Sequence, residues 1–505
     1  MDRGKTGGAE GPAASMNSLQ PRSSAARLAP AIAPMPDASS SGRAAGHPLV
    51  SIESGPVDYA DAAGVRTQVY QALSRLDLAH DFIRPGDRVV LKPNWVKEHD
   101  ERHPGPDQWE HVVTHPAVIE AVARWAAERL QGRGSIILCD APQTDSSFAR
   151  IREYCRLDSL TTRCRADFPG VTVELLDLRP EEWHAVDGVT VSKTVLPGDP
   201  LGSTRVALDN ASEFVGFAGC GRLYGASFDL DETNRHHAGT RHEYLLCRTP
   251  MDADVFINIP KLKTHKKVGL TCALKNLVGI NANKNWLPHH TEGTPSQGGD
   301  QFPADNAKAR LEHSWMGTAK RLLKDNPLLS RLFVPLKKAG RMVFGDTQKV
   351  VRSGNWHGND TCWRMVLDLN KCLFLHDGSG QARTRPLRYL AVVDGIIGGE
   401  GNGPMAPDPR PCGVIVAGTH PLAVDCASAR LMGFDWQRIR LLAGGFRMRA
   451  PGFVDFEPGT IRLTSNRAEW NGGLSAIRGT FAFRPHFGWA GAIEAVDAAA
   501  RASTD

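Results

Sequence analysis

Short apolar runs alternate with amphipathic stretches from His47 to Leu176, at a spacing that leaves few folds open. Residues 49–53, 88–92, 135–139 and 171–176 are rich in Val, Ile and Leu and bounded by Gly, Pro or polar residues, which predicts buried strands. Between them, residues 60–78, 114–132 and 147–160 carry apolar side chains at helical spacing. Thr114 is expected to cap the second helix, with Pro116 in its first turn. Strand, helix, strand in this order is the pattern of parallel βαβ units. The expected fold is therefore α/β: a mostly parallel sheet of βαβ units, with an antiparallel excursion over residues 189–208 and a helical insertion. Further strands are predicted at residues 254–257, 389–393 and 414–417, with a helix at 421–431.

Sheets of this kind place working residues just beyond the carboxyl ends of their strands. Three such ends carry polar residues: Lys92-Pro93-Asn94, Asp140-Ala141-Pro142 and Asn258-Ile259-Pro260-Lys261. The chain divides into a disordered Ala-, Ser-, Pro- and Gly-rich leader (1–46), a first part of the core (47–283), a helical insertion or lid (284–386), a second part of the core (387–435) and a C-terminal extension (436–505). Translation starts at Met1 or Met16.

With 505 residues, 41% hydrophobic and 23% charged, the chain has ample material for a buried core. The balance of 60 basic and 55 acidic residues gives a formal charge of +5, too mild to imply nucleic acid. Ten cysteines occur without C-x-x-C spacing, which argues against a structural zinc site or a ferredoxin-type cluster. No run approaches the ~20 apolar residues of a membrane span. A cytoplasmic protein is expected.

The charge is unevenly distributed. Residues 255–291 hold six lysines (Lys261, Lys263, Lys266, Lys267, Lys275 and Lys284) and no Asp or Glu. Their partners must be acids folded in from other segments or a bound anion. Because apolar residues interleave them, burial is expected, and a buried lysine needs a partner or a shifted pKa. Lys263, His265, Lys275 and His115 are the catalytic candidates. Lys92, Asn94, Asn258, Lys261, Asn276, Asn359 and Asp360 are candidates for holding an anionic substrate. Acids beside glycine or in the following helix, Asp394, Glu400 and Asp425, could hold a divalent metal with His290. The glycine-dense run at 398–404 is expected to be a loop lining the site. A basic amphipathic stretch at 308–341 could pack as a lid or contact an anionic membrane surface.

Several of these motifs occur together in a known order: Lys92-Pro93-Asn94, Thr114-His115-Pro116, the run from Asp254 to His265, Lys275-Asn276 with Gly279, Asp394-Gly395 with Glu400 to Pro404, and Leu422-Ala423-Val424-Asp425. In this the chain resembles the bacterial and archaeal family called domain of unknown function 362, from about residue 49 to 435. Some members of that family carry ferredoxin-like cysteine motifs, which this chain lacks, so no intrinsic iron–sulfur cluster is expected. The layout is also similar, at the level of pattern, to the catalytic region of nickel-pincer lactate racemase, which implies proton or hydride chemistry on a small carboxylate. The resulting expectation is an enzyme acting on a phosphate- or carboxylate-bearing small molecule, by metal-assisted acid/base or redox chemistry. The alternatives are a non-catalytic binder of an anionic metabolite and a peripheral component of a cell-envelope or polysaccharide pathway.

Overall fold

The computed structural model describes residues 47–186, 189–227, 229–304, 350–448, 450, 453–478 and 480–495. The basic stretch at 308–341 and the leader lie outside them. Residues from Gly46 onward form one compact unit. Its centre is a 10-stranded sheet, whose strands are β1 (Leu49–Ser54), β2 (Arg88–Pro93), β3 (Gly134–Asp140), β4 (Val171–Asp177), β5 (Val255–Ile259), β6 (Lys261–His265), β7 (Gly269–Thr271), β8 (Arg388–Asn402), β9 (Ala406–Gly418) and β10 (Arg462–Ser465). Across the sheet the order is β10-β1-β9-β8-β5-β2-β3-β4. Of these only β9 runs against its neighbours. The expected α/β class and mostly parallel sheet are what the chain forms.

Both faces of the sheet are covered, as parallel strands require. Side chains alternate across the pleat, so Val89 and Leu91 enter one apolar layer and Val90 the other. One layer is closed by the helices α1 (Ala62–Ser74), α2 (Pro116–Leu130), α3 (Phe148–Tyr154) and α4 (Leu157–Asp167), through residues such as Val69, Val122, Ile151 and Leu160. The opposite layer receives Phe214, Tyr244 and the later helices α6 (Cys362–Leu375) and α7 (Pro421–Met432), with the short α5 (Ala273–Asn276) between. The antiparallel excursion forms as the hairpin Glu181–Val186 with Val189–Val195, beside a separate pairing of Ser203–Ala207 with Arg241–Cys247. Among the described residues no helix is long and apolar enough to cross a membrane.

Four local expectations need correction. Thr114 does not cap α2: its Oγ1 accepts from Asn94 N and donates to Ile259 O, tying β2 to β5, while His115 is the N-cap and accepts from Ala117 N. The helix expected at 147–160 is two helices, broken where Arg156 adopts a positive φ of 49°. The glycine-dense run is strand rather than loop, since β8 continues through Asn402 against β9. Glycine is needed there because neighbouring chain passes close by. A Cβ on Gly399 would stand 2.7 Å from His111 O, and one on Gly398 2.9 Å from Leu262 O. The C-terminal segment is integral to the core, supplying the edge strand β10 beside β1 and the Arg484 side chain to Glu400.

Candidate functional site

The chain leaves β2 toward β3 on one side of the sheet and leaves β5 toward β8 on the other, although β2 and β5 are neighbours. Crevices beyond strand ends at such reversals are where open α/β sheets hold ligands. Lys92 and Asn258 face each other across this junction. Lys92 Nζ meets Asp140 Oδ1 at 2.9 Å and Asn276 Oδ1 at 3.2 Å. Asn94 also donates to Asn276 Oδ1, and Asn276 donates to Asn258 Oδ1 at 2.7 Å. Asn258 in turn donates to Ala273 O and to the Tyr389 hydroxyl. The four candidates for holding substrate are brought together, and they hold one another and α5 in place.

The lysine segment itself is the strand β6, running parallel to β8 after Pro260 interrupts β5. Lys261 Nζ lies 2.6 Å from Asp394 Oδ2 with both side chains fully buried. Asp394 also accepts from the Tyr59 hydroxyl at 2.6 Å, from His115 N at 2.8 Å and from Ile396 N. Burial pushes the Lys261 amine down, and the adjacent Asp394 charge opposes that. His115 stacks on Tyr59 with ring centroids 3.8 Å apart, and its Nε2 faces Glu110 at 3.5 Å. Burial pushes its pKa down. Lys263 donates to the carbonyls of Val112 and Pro404, so it ties β6 to two loops; burial, reinforced by the Lys261 charge, holds its amine well below the ordinary range.

Lys275 differs from these. It is 7% exposed, and among the described residues its side chain makes no hydrogen bond and no ion pair. Burial pushes its amine down, and the Lys92 charge adds to that. Lys275 and Lys267 in turn disfavour charge on both His265 and His289. Burial comes first in holding both imidazoles well below 6.5. The oxygens of Asp300 are occupied by Thr291 N, Asp360 N, and the backbone N and hydroxyl of Thr361.

Local hydrogen bonds set the two tautomers. His265 Nδ1 accepts from Lys267 N at 3.0 Å, so the neutral ring carries its proton on Nε2 and presents a donor. His289 Nδ1 lies 2.8 Å from Leu287 O, a pure acceptor, so that nitrogen holds the proton and Nε2 is left as a base. Of the adjacent pair, the sequence reading favoured His290. That residue stacks on Tyr224 with centroids 4.6 Å apart. His289 was not among the candidates, and the backbone carbonyl that fixes its tautomer leaves no trace in the sequence.

The expected metal set is not brought together. Asp394 is committed to Lys261, Glu400 to Arg484 Nε at 3.0 Å, and Asp425 to the backbone N–H groups of Ala273 and Leu274. Among the described residues no group of three or more His, Cys, Asp and Glu is placed to hold a metal ion. Burial pushes the Asp425 carboxyl up to about 7. Asn359 shapes the turn before α6, accepting from Thr361 N and Cys362 N and donating to His289 O. Asp360 pairs with Arg364 and Arg440 at the surface and does not join the site.

The protein is thus an α/β protein whose lysine-rich segment is buried beside the central strands of its sheet. Residues 198–430 match the family described as Domain of unknown function (DUF362). The Lys92-Pro93-Asn94 and Thr114-His115-Pro116 motifs lie outside the matched segment, which is narrower than the resemblance read from the motifs. A thylakoid-associated protein of Synechocystis sp. is 23% identical over 368 residues, spanning 73% of this chain and 70% of that protein. A solved structure of a Thermotoga maritima protein is 11% identical over 86% of this chain and 93% of that one, with a TM-score of 0.25.

Proposed function

We propose that the chain binds a small phosphate- or carboxylate-bearing molecule between Lys275, His265 and His289 and carries out acid–base chemistry on it. The observation that carries this reading is Lys275, a buried amine without a described partner, whose charge Lys92 disfavours. Such a group is costly to bury unless an anion completes it. Lys275 supplies the counter-charge, the Nε2–H of His265 donates to an anionic oxygen, and Nε2 of His289 is the base for a proton on the ligand. Lys92, Asn94, Asn258 and Asn276 act by positioning α5, and Lys261 with Asp394 by positioning β6 against β8. Isothermal titration of the wild-type protein with inorganic phosphate and with malonate tests the reading. Saturable binding of either is expected, with one site lost from the stoichiometry in Lys275→Met and that site weakened in His265→Phe. A stoichiometry and affinity that both variants leave unchanged overturn it.

A second reading, attachment to an anionic membrane surface, draws on the name of the thylakoid-associated relative and on the basic composition of residues 308–341. Flotation with anionic liposomes at low salt decides it: a chain that stays at the bottom of the gradient is no membrane-surface protein.

A further inference from the structure

Beyond the carboxyl ends of β3 and β4 lies a second opening, a cleft of about 550 Å³ lined in part by Arg179, Asp199, Glu232, Asn281 and Lys284. Its volume falls in the range of sites that hold small molecules. Most of the polar groups in its wall are already satisfied. Arg179 is spent on Asp177, Glu182 and the carbonyls of Gln143 and Ser146. Asp199 accepts from Leu201 N and from both the backbone and hydroxyl of Thr249. Glu232 accepts from Asn283, Asn285 and Trp286, which makes it the clamp of the loop that carries Lys284.

Two buried or half-buried donors in the wall, Lys284 and Asn281, keep unused hydrogen-bonding capacity among the described residues. Lys284 Nζ donates to Ala141 O at 2.9 Å and to Val278 O at 3.3 Å, and its third valence has no described partner. Asn281, 1% exposed, has an amide Nδ2 with no hydrogen-bond partner among the described residues, while its Oδ1 accepts from Asn283 N. Unused donors in the wall of a cleft call for a ligand that brings acceptors.

We propose that this cleft is a second ligand site, which takes a small molecule presenting an anionic oxygen, carboxylate or phosphate, to Lys284 and Asn281. It is distinct from the Lys275 site and stands whether or not that site binds. Burial pushes the Lys284 amine down to about 8, so near that pH it is partly neutral and nucleophilic while the cleft is empty. An anion beside it restores the ammonium and blocks access.

Pulse acetylation with acetic anhydride near pH 8, read by peptide mass spectrometry, tests this on the wild-type protein. Lys284 is expected to react roughly tenfold faster than the exposed Lys193. Titration with inorganic phosphate or with malonate, against chloride at matched ionic strength, is expected to lower Lys284 modification about tenfold at ~ten times the half-protecting concentration. Protection by phosphate alone assigns a phosphate ligand, and protection by malonate alone a carboxylate. The same protection in Lys275→Met separates this cleft from the first site. A Lys284 that stays unmodified, or one that neither anion protects, overturns the proposal.

Discussion

Replacing Asp394 by Asn tests the central electrostatic feature of β6. The carboxylate receives four donors, from Tyr59, Lys261, His115 N and Ile396 N, in a fully buried position. Asparagine keeps the volume but offers one acceptor oxygen, and its NH2 must face groups that also donate. The heavier loss is the charge. Lys261 is 0% exposed and loses its carboxylate. Removing one partner of a buried pair costs about 3–5 kcal/mol. The stranded lysine can escape by releasing its proton. At pH 7 that costs roughly 4.6 kcal/mol for an amine of ordinary pKa near 10.4, which caps the penalty. An unfolding entropy of about 2.1 cal/mol/K per residue gives roughly 1 kcal/mol/K for 505 residues, so Tm should fall by about 3–5 °C. Lys261→Met should cost less, about 1–3 kcal/mol, because Asp394 retains the tyrosine hydroxyl and two backbone donors. Scanning calorimetry of both variants at pH 7 gives the order. A Tm for Asp394→Asn within about 1 °C of wild type, or a larger loss for Lys261→Met, refutes the assignment of Asp394 as the charge partner that β6 requires.

Lys275→Met should raise Tm by about 1–2 °C without ligand, since an uncompensated amine gives way to an apolar side chain of similar length; a fall in Tm would mean that the amine has a partner in the free protein. Gly279→Ala should destabilise severely, by ~3 kcal/mol or more, because its Cβ would run into Asp140 Oδ1 and stand 2.6 Å from Lys92 Nζ, splitting that buried pair; wild-type urea unfolding in this variant would remove the pair from the list of structural anchors. Burial pushes His237 down to about 3 and His420 to about 4. Each stays neutral in the fold while the unfolded chain takes up a proton near 6.5, so stability should fall as pH drops below 6.5, by about 1.4 kcal/mol per unit for each histidine. His237→Phe should lower the slope of unfolding free energy against pH, between about 6 and 5, by one proton, and an unchanged slope would place His237 in a solvated site.

The strands of the sheet were legible because burial on both faces selects continuous runs of Val, Ile and Leu, as in Arg88–Pro93 and Val255–Ile259. β6 was not legible, because Lys261, Lys263 and His265 break that pattern although all are buried. Their tolerance depends on remote groups: Asp394, and carbonyls of Val112 and Pro404, at sequence separations of more than 130 residues. The glycines of β8 misled for a related reason. They report neighbouring chain passing too close for a side chain, and the same residue type also marks ligand loops.

The lysine-rich, acid-free segment posed a choice between acids supplied by other segments and a bound anion, and the fold divides its lysines between several answers. Lys261 takes Asp394, drawn from β8. Lys263 takes carbonyls alone and remains unneutralised. Lys284 also takes carbonyls but keeps a donor at a cleft. Lys275 takes none of these within the described chain. The acids that resembled metal ligands are the reciprocal half of the same arrangement, since Asp394, Glu400 and Asp425 are consumed by a lysine, an arginine and a helix N-terminus. A metal at Asp394 would have to displace Lys261 from a fully buried ion pair, whereas an anion at Lys275 displaces nothing and completes a charge already paired with no described group. That difference is why the ligand proposed for Lys275 is an anion and not a metal.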